Sequence, residues 1–455
     1  QGEASSGAAF PSLAEALDKK LVHFLRSLLF WLSVVKMSIR AIISVLLVLC
    51  VRTSYAYSIL AHEALIDSCW EKSIQPLLLW KYPGATKAQI KTAHAYAYGG
   101  AIAPDIGYFP FGKPFFTNLV HYVRSGDFVN ALIADARDIN EYAFAIGFLC
   151  HYMADEYGHS LATNVSVPML YPRDQRKYGD YVTYEEDRMS HRRTEFGFDV
   201  LQTVESNYQS IAYHDFIGFE ISDSLLARAF SEVYGLDIHD VFVNFSLATG
   251  TLRWSFKRLF PALTKAAWIL KKNQLRKDHP GMKRRSYIYS MKNADYYKEF
   301  GRERERPGLF SAIFAFFVTA LPKIGPARAM KFKAPGSDEA KLYHSSFNTV
   351  VTHYTAALRA CRTGSSRLAN IDFDTGNFTE PGEYGMADKN YDLLVVDLEK
   401  NNFKLLNKDL RKNILDFYSR RVAPAGSGKA GKSWSKTEAA LRQLEQAKPG
   451  DVGGE

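Results

Sequence analysis

The sequence predicts an all-α protein. Apolar residues recur three and four positions apart through most of residues 59–270, alternating strand patterns are scarce, and no repeat of fixed period appears. In chain order, the spacing predicts helices around 60–80, 87–98, 127–137, 140–163 and 191–212. Loop signals separate them: Tyr82, Pro83 and Gly84 in succession, the Pro-, Gly- and aromatic-rich stretch 103–114, and residues 168–180. The chain has 455 residues, 47% of them hydrophobic and 23% charged, which excludes intrinsic disorder and suffices for one large core or two smaller ones. Four cysteines exclude a scaffold held by disulfides. The net charge of +9 favours anionic partners such as phospholipid surfaces, nucleic acid or phosphorylated substrates.

The first methionine is Met37, so residues 1–36 are treated as an upstream extension of doubtful status. Residues 37–56 have a short basic start, an apolar run at 41–51 and small residues at Ser54 and Ala56, the three-part layout of a secretory signal peptide. Export to a secreted or periplasmic location is therefore expected, with Tyr57 as the mature N-terminus. Cys69, Cys150 and Cys361 would then remain, enough for at most one disulfide.

Charge shifts sharply towards the C-terminus. Residues 253–333 carry 20 basic and 5 acidic side chains, a net of +15, so the rest of the chain sums to −6. Within this segment lies an apolar run of 13 residues, 309–321, too short to span a bilayer. It reads either as a buried helix or as an interfacial helix resting on anionic lipid. The organisation expected is a helical domain at 57–270, a helical basic region at 271–423 and a flexible tail at 424–455, with a short charged helix at 435–448.

The strongest chemical signal is His151, Asp155 and His159. Spacings of four and eight put all three within about 80° of arc on one helix face, with about 6 Å of rise between neighbours. His151 and Asp155 can share one metal ion, whereas His159, about 12 Å along the axis from His151, cannot join the same ion through bonds of about 2.1 Å. His191 and Glu195, again four apart, form a second helical pair of zinc-ligand type; the competing reading is an exposed ion-pairing face. His62, Asp105 and His121 precede these as weaker candidates. His94 and His214 read as structural, and Tyr108, Phe109 and Phe111 either line a head-group pocket or pack their loop.

In order and type these residues resemble the zinc-dependent phospholipase C family, which contains bacterial phosphatidylcholine-hydrolysing enzymes and clostridial alpha-toxins and shares its all-α fold with fungal single-strand nucleases. The resemblance implies a multi-helix domain with about three zinc ions. Asp155 would bridge two of them, one completed by His62 and by the backbone amine and carbonyl oxygen of Tyr57, the other by Asp105, His121 and His151. The third ion would take His159, His191 and Glu195. One departure is visible: better-known members place the next ligand histidine six residues after the bridging aspartate, where this chain has Leu161, while His159 lies four after it.

The implied reaction is hydrolysis of a phosphodiester, in which zinc neutralises an anion that repels its nucleophile, and Asp105 and Asp155 are the candidate catalytic carboxylates. Three functions follow from this ligand set. They are a secreted, monomeric phospholipase C that releases diacylglycerol and a phosphorylated head group, a nuclease on the same frame drawing on the basic segment, and a binding protein with structural zinc.

Overall fold

The computed structural model describes residues 59–204, 217–255, 332–365, 367–423 and 429–450. The expectations for 1–36, 37–56 and Tyr57, for His214 and for the apolar run 309–321 lie outside these residues, as does most of the basic segment. Among the described residues there is no strand, only an isolated bridge between Ile371 and Phe378, and no helix is long and apolar enough to cross a membrane.

Helix α1 (Ile59–Cys69) runs through a π turn, Trp70–Ile74, into α2 (Gln75–Lys81). Helix α3 (Lys87–Ile102) opens on a capping box, in which Thr86 Oγ1 accepts from the Gln89 amide while Gln89 Oε1 accepts from the Thr86 amide. A 3₁₀ segment, Ala103–Tyr108, leads to α4 (Pro114–Tyr122) and α5 (Ser125–Asp135). The longest helix of this half, α6 (Ile139–Gly158), starts on Asp138, whose Oδ1 accepts from the amides of Asn140 and Glu141. Almost every residue of α6 as far as Asp155 is buried, so it is covered around its whole circumference and forms the axis of the core.

The pairing of α3 with α6 is set by glycine. A Cβ on Gly147 would lie 2.1 Å from the Ala97 carbonyl oxygen, and one on Gly100 would lie 1.9 Å from that of Phe144, so the two backbones are in direct contact. This close approach lets His151 Nδ1 reach the Ala101 carbonyl at 2.8 Å.

At its C-terminus α6 enters a π turn, His159–Thr163, and continues as α7 (Asn164–Leu170). Pro168 within α7 cannot donate to the Asn164 carbonyl, and the amide of Val182 takes that acceptor at 3.0 Å. Then follow α8 (Pro172–Tyr178), α9 (Arg188–Val204), α10 (Asp223–Tyr234), α11 (Ile238–Val241) and α12 (Phe245–Trp254).

Four further helices are α13 (Ser337–Thr363), α14 (Gly385–Lys400), α15 (Lys408–Ser419) and α16 (Lys429–Gln446). They share the core of the preceding helices: Tyr343, Val350, Tyr354 and Leu358 of α13 are buried, and Tyr354 Oη donates to the Ile146 carbonyl of α6 at 2.9 Å. The short charged helix expected at 435–448 is α16, which packs on α14 with Ala440 and Leu444 fully buried; two apolar side chains one turn apart give it a docking face. Within the region expected at 271–423, α13 packs against α6.

Candidate metal centre

Eight of the nine residues singled out in the sequence fall within the described part, and all eight converge. His62 comes from α1, Asp105 from the 3₁₀ segment, His121 from α4, His151 and Asp155 from α6, His159 from the first residue of the π turn, and His191 and Glu195 from α9. None is more than 5% exposed. Their ligand atoms form three sets, each lying within 4.8 Å: His62, His151 and Asp155; Asp105, His121 and His151; and His159, His191 and Glu195.

Asp155 stands between the sets with its two oxygens divided. Oδ1 faces His62 Nε2 at 3.5 Å and His159 Nε2 at 4.0 Å, while Oδ2 faces His151 Nε2 at 3.0 Å and His121 Nε2 at 3.5 Å. Asp105 Oδ1 lies 3.4 Å from His121 Nε2. As the helical spacing requires, His151 and His159 fall in different sets. The four-residue spacing from Asp155 still delivers His159 to Glu195, with Nε2 3.3 Å from Oε1, and His191 Nδ1 lies 3.1 Å from the same oxygen.

Backbone carbonyls assign the tautomers. A carbonyl oxygen only accepts, so His121 Nδ1, 2.8 Å from Thr117 O, and His151 Nδ1, 2.8 Å from Ala101 O, both carry protons. Their Nε2 atoms then point acceptor lone pairs at one another across 3.3 Å, a separation only a proton or a cation between them makes favourable. His151 has a single free nitrogen and so can serve only one of the two sets to which it is adjacent. If His151 serves the Asp105 and His121 set, the His62 and Asp155 set is left with room for a further ligand, the role the resemblance assigns to Tyr57.

Both oxygens of Asp105, Asp155 and Glu195 are buried and face no hydrogen-bond donor other than the imidazoles around them. Buried carboxylates in that condition are costly unless a cation is held among them, so the donors present, imidazole nitrogen and carboxylate oxygen, fit zinc.

The charges of the metal-free protein agree. Burial pushes the His62 imidazole well below its ordinary value, with the neighbouring His151 acting in the same direction. Burial also lowers His121, but the carboxylates of Asp105 and Asp155 outweigh it and carry the group up to about 9. His191 rises to about 10 because Glu195 and Asp374 overcome the same burial penalty, and His159 rises through Asp155 and Glu195. Asp155 would be raised by burial, yet the imidazoles of His151 and His159 hold it well below the carboxylate range, whereas burial dominates at Asp105 and raises it. Protons here occupy places that a divalent cation would take.

The other candidates separate cleanly. His94 stacks on Trp70 at 3.6 Å between centroids, with Nε2 3.3 Å from Asp67 Oδ1, in a packing role away from the three sets. Tyr108 and Phe109 are buried, and Phe111 is 51% exposed with φ 64°. Cys69, Cys150 and Cys361 are free thiols. Sequence reasoning missed Asp374, which is 1% exposed and lies beside His159 and His191. It stands at no helical spacing from another candidate; the one local signal is the turn-forming run of Asp372, Asp374, Thr375 and Gly376.

No curated protein and no solved structure matches the chain. Residues 61–242 match the family model described as zinc dependent phospholipase C, and they hold all eight converging side chains. The ligand sets and the all-α fold agree with this match and support the zinc-dependent phospholipase C family of hydrolases for residues 61–242.

Proposed function

We propose that the protein is an exported phospholipase C that holds about three zinc ions and hydrolyses a phospholipid to diacylglycerol and a phosphorylated head group. The observation that carries this reading is the division of the Asp155 oxygens between two imidazole sets beside a third set built on Glu195. Zinc, when bound, supplies positive charge to neutralise the phosphodiester and lowers the pKa of water.

The chain supplies the rest. Asp155 fixes the spacing of the first two sets, and the Thr117 and Ala101 carbonyls lock the ring orientations of His121 and His151. Asp105, whose Oδ1 lies 3.4 Å from His121 Nε2, is the carboxylate assigned in this reading to orienting the attacking water and accepting its proton. His159, His191 and Glu195 define the side on which the phosphoryl oxygen or leaving group is held. The N-terminal amine of Tyr57 completes the His62 set only after cleavage behind Ala56. The basic residues of 253–333 favour peripheral contact with an anionic membrane surface.

The test compares protein beginning at Tyr57 with a form bearing one extra N-terminal residue, on phosphatidylcholine vesicles and on single-stranded DNA. Lipid cleavage that is lost in the extended form is the expected result. Cleavage of DNA alone assigns the frame to a nuclease, and bound zinc with neither activity assigns it a structural role.

A further inference from the structure

We propose that Asp374, contributed by the loop before α14 and outside the matching residues 61–242, is a positioning carboxylate that sets the tautomer and ring orientation of His159 and, together with Asn164, holds those of His191, so that the third zinc site is built jointly with the C-terminal region. The inference rests on the reading of His159, His191 and Glu195 as a zinc site.

The geometry divides each imidazole between two carboxylates. Glu195 Oε1 meets His159 Nε2 at 3.3 Å and His191 Nδ1 at 3.1 Å, whereas Asp374 Oδ1 meets the opposite nitrogens, His159 Nδ1 at 3.5 Å and His191 Nε2 at 3.3 Å. Asn164 decides which nitrogen of His191 carries the proton. Its amide nitrogen donates to the Asp374 carbonyl at 2.7 Å, so its Oδ1 is the atom facing His191 Nε2 at 2.9 Å, and Nε2 must be the donor. His191 Nδ1 is then the nitrogen left to bind metal beside Glu195. His159 follows the same pattern, since its Nε2 faces Glu195 and Asp155 and its Nδ1 faces Asp374. A histidine ligand that donates its other N–H to a carboxylate is held in one tautomer and made more basic, which tightens metal binding.

Asp374 is itself held in place. Its Oδ2 accepts from the Tyr184 amide at 2.8 Å and from Tyr384 Oη at 2.5 Å, while Oδ1 has no hydrogen-bond donor other than the two rings. Tyr184 and Tyr384 belong to one buried cluster with Tyr122, Met386 and Ala387. The loop is pinned on both sides of Asp374: the Phe373 amide donates to the His121 carbonyl at 3.1 Å, and Ser125 Oγ donates to the Ile371 carbonyl at 2.6 Å. The carboxylate therefore enters the centre from a rigid support.

The experiment measures zinc stoichiometry and affinity by chelator competition on the full mature chain, with visible absorption of the cobalt-substituted protein as a second readout. Asp374→Asn is compared with wild type, with Tyr384→Phe, which removes one hydrogen bond and keeps the charge, and with Phe378→Ala, an exposed position on the same loop. Glu195→Gln reports loss of the third ion directly. The expected result is a 10- to 100-fold weaker third ion in Asp374→Asn, roughly in line with the cost of removing such a partner. A smaller weakening is expected in Tyr384→Phe, none in Phe378→Ala, and an altered cobalt spectrum in Asp374→Asn. A third ion bound with unchanged affinity and spectrum in both Asp374→Asn and Tyr384→Phe overturns the role of Asp374 while leaving the zinc site standing. A wild-type chain whose zinc content Glu195→Gln does not lower overturns the site reading, and the inference with it. If Asp374→Asn does not fold by circular dichroism, the Tyr384→Phe comparison decides.

Discussion

Loading the metal-free protein with zinc at pH 7.5 should release at least two protons per chain. His121 and His191, raised to about 9 and about 10, are imidazolium at that pH in the metal-free molecule, and each must surrender a proton to become a ligand. Two displaced protons make the overall zinc affinity rise about 100-fold per pH unit below pH 9, about 2.7 kcal/mol at 1.36 kcal/mol per proton. The metal-free protein runs the other way. A histidine whose folded value lies above its unfolded 6.5 contributes stability that is complete below pH 6.5 and lost as pH rises through the folded value, here about 9 and about 10. For His121 the rise from 6.5 to about 9 amounts to roughly 3 kcal/mol. Chelated protein should therefore lose stability to urea between pH 6.5 and 10 while zinc-loaded protein gains affinity over the lower part of that window. Titration calorimetry in buffers of different ionisation enthalpy counts the protons. Zinc binding with no proton release, or the same pH trend in both forms, would show that His121 and His191 are not protonated in the metal-free protein.

Asp155→Asn should abolish the first two ions and lipid cleavage together, and in metal-free protein should cost about 3–5 kcal/mol, since buried imidazolium loses its counter-charge; zinc analysis and urea unfolding check both. Gly147→Ala gains up to about 1 kcal/mol of helix propensity, but the new Cβ would lie 2.1 Å from the Ala97 carbonyl oxygen. Overpacking wins, with a net loss of about 1–3 kcal/mol or more on unfolding and displacement of His151 from the Ala101 carbonyl. His94→Ala should lower stability by about 1–3 kcal/mol through its contacts with Trp70 and Asp67 while leaving zinc content unchanged.

Helical periodicity made the fold class legible, and the i, i+4 pairs His151 with Asp155 and His191 with Glu195 made two helices of the centre legible, because one helix face is a property of local sequence. Pattern placed helix ends less well: α9 begins before the expected 191, and α4, which carries His121, followed an expected loop without a prediction of its own. Asp105 and His62 gained meaning only jointly with the others, since neither has a ligand partner on its own element. Asp374 was not legible. What brings it to His159 and His191 is a loop held by hydrogen bonds to residues distant in sequence, Ser125, Asn164 and Tyr184, and none of these leaves a periodic trace.

The central claim, three ligand sets organised around Asp155, is tested most directly by an anomalous scattering map at the zinc edge on crystals of protein beginning at Tyr57. About three peaks are expected: one beside His62 and Asp155, one among Asp105, His121 and His151, and one among His159, His191 and Glu195. A map with no peak in these sets, or with zinc only elsewhere in the chain, would contradict it.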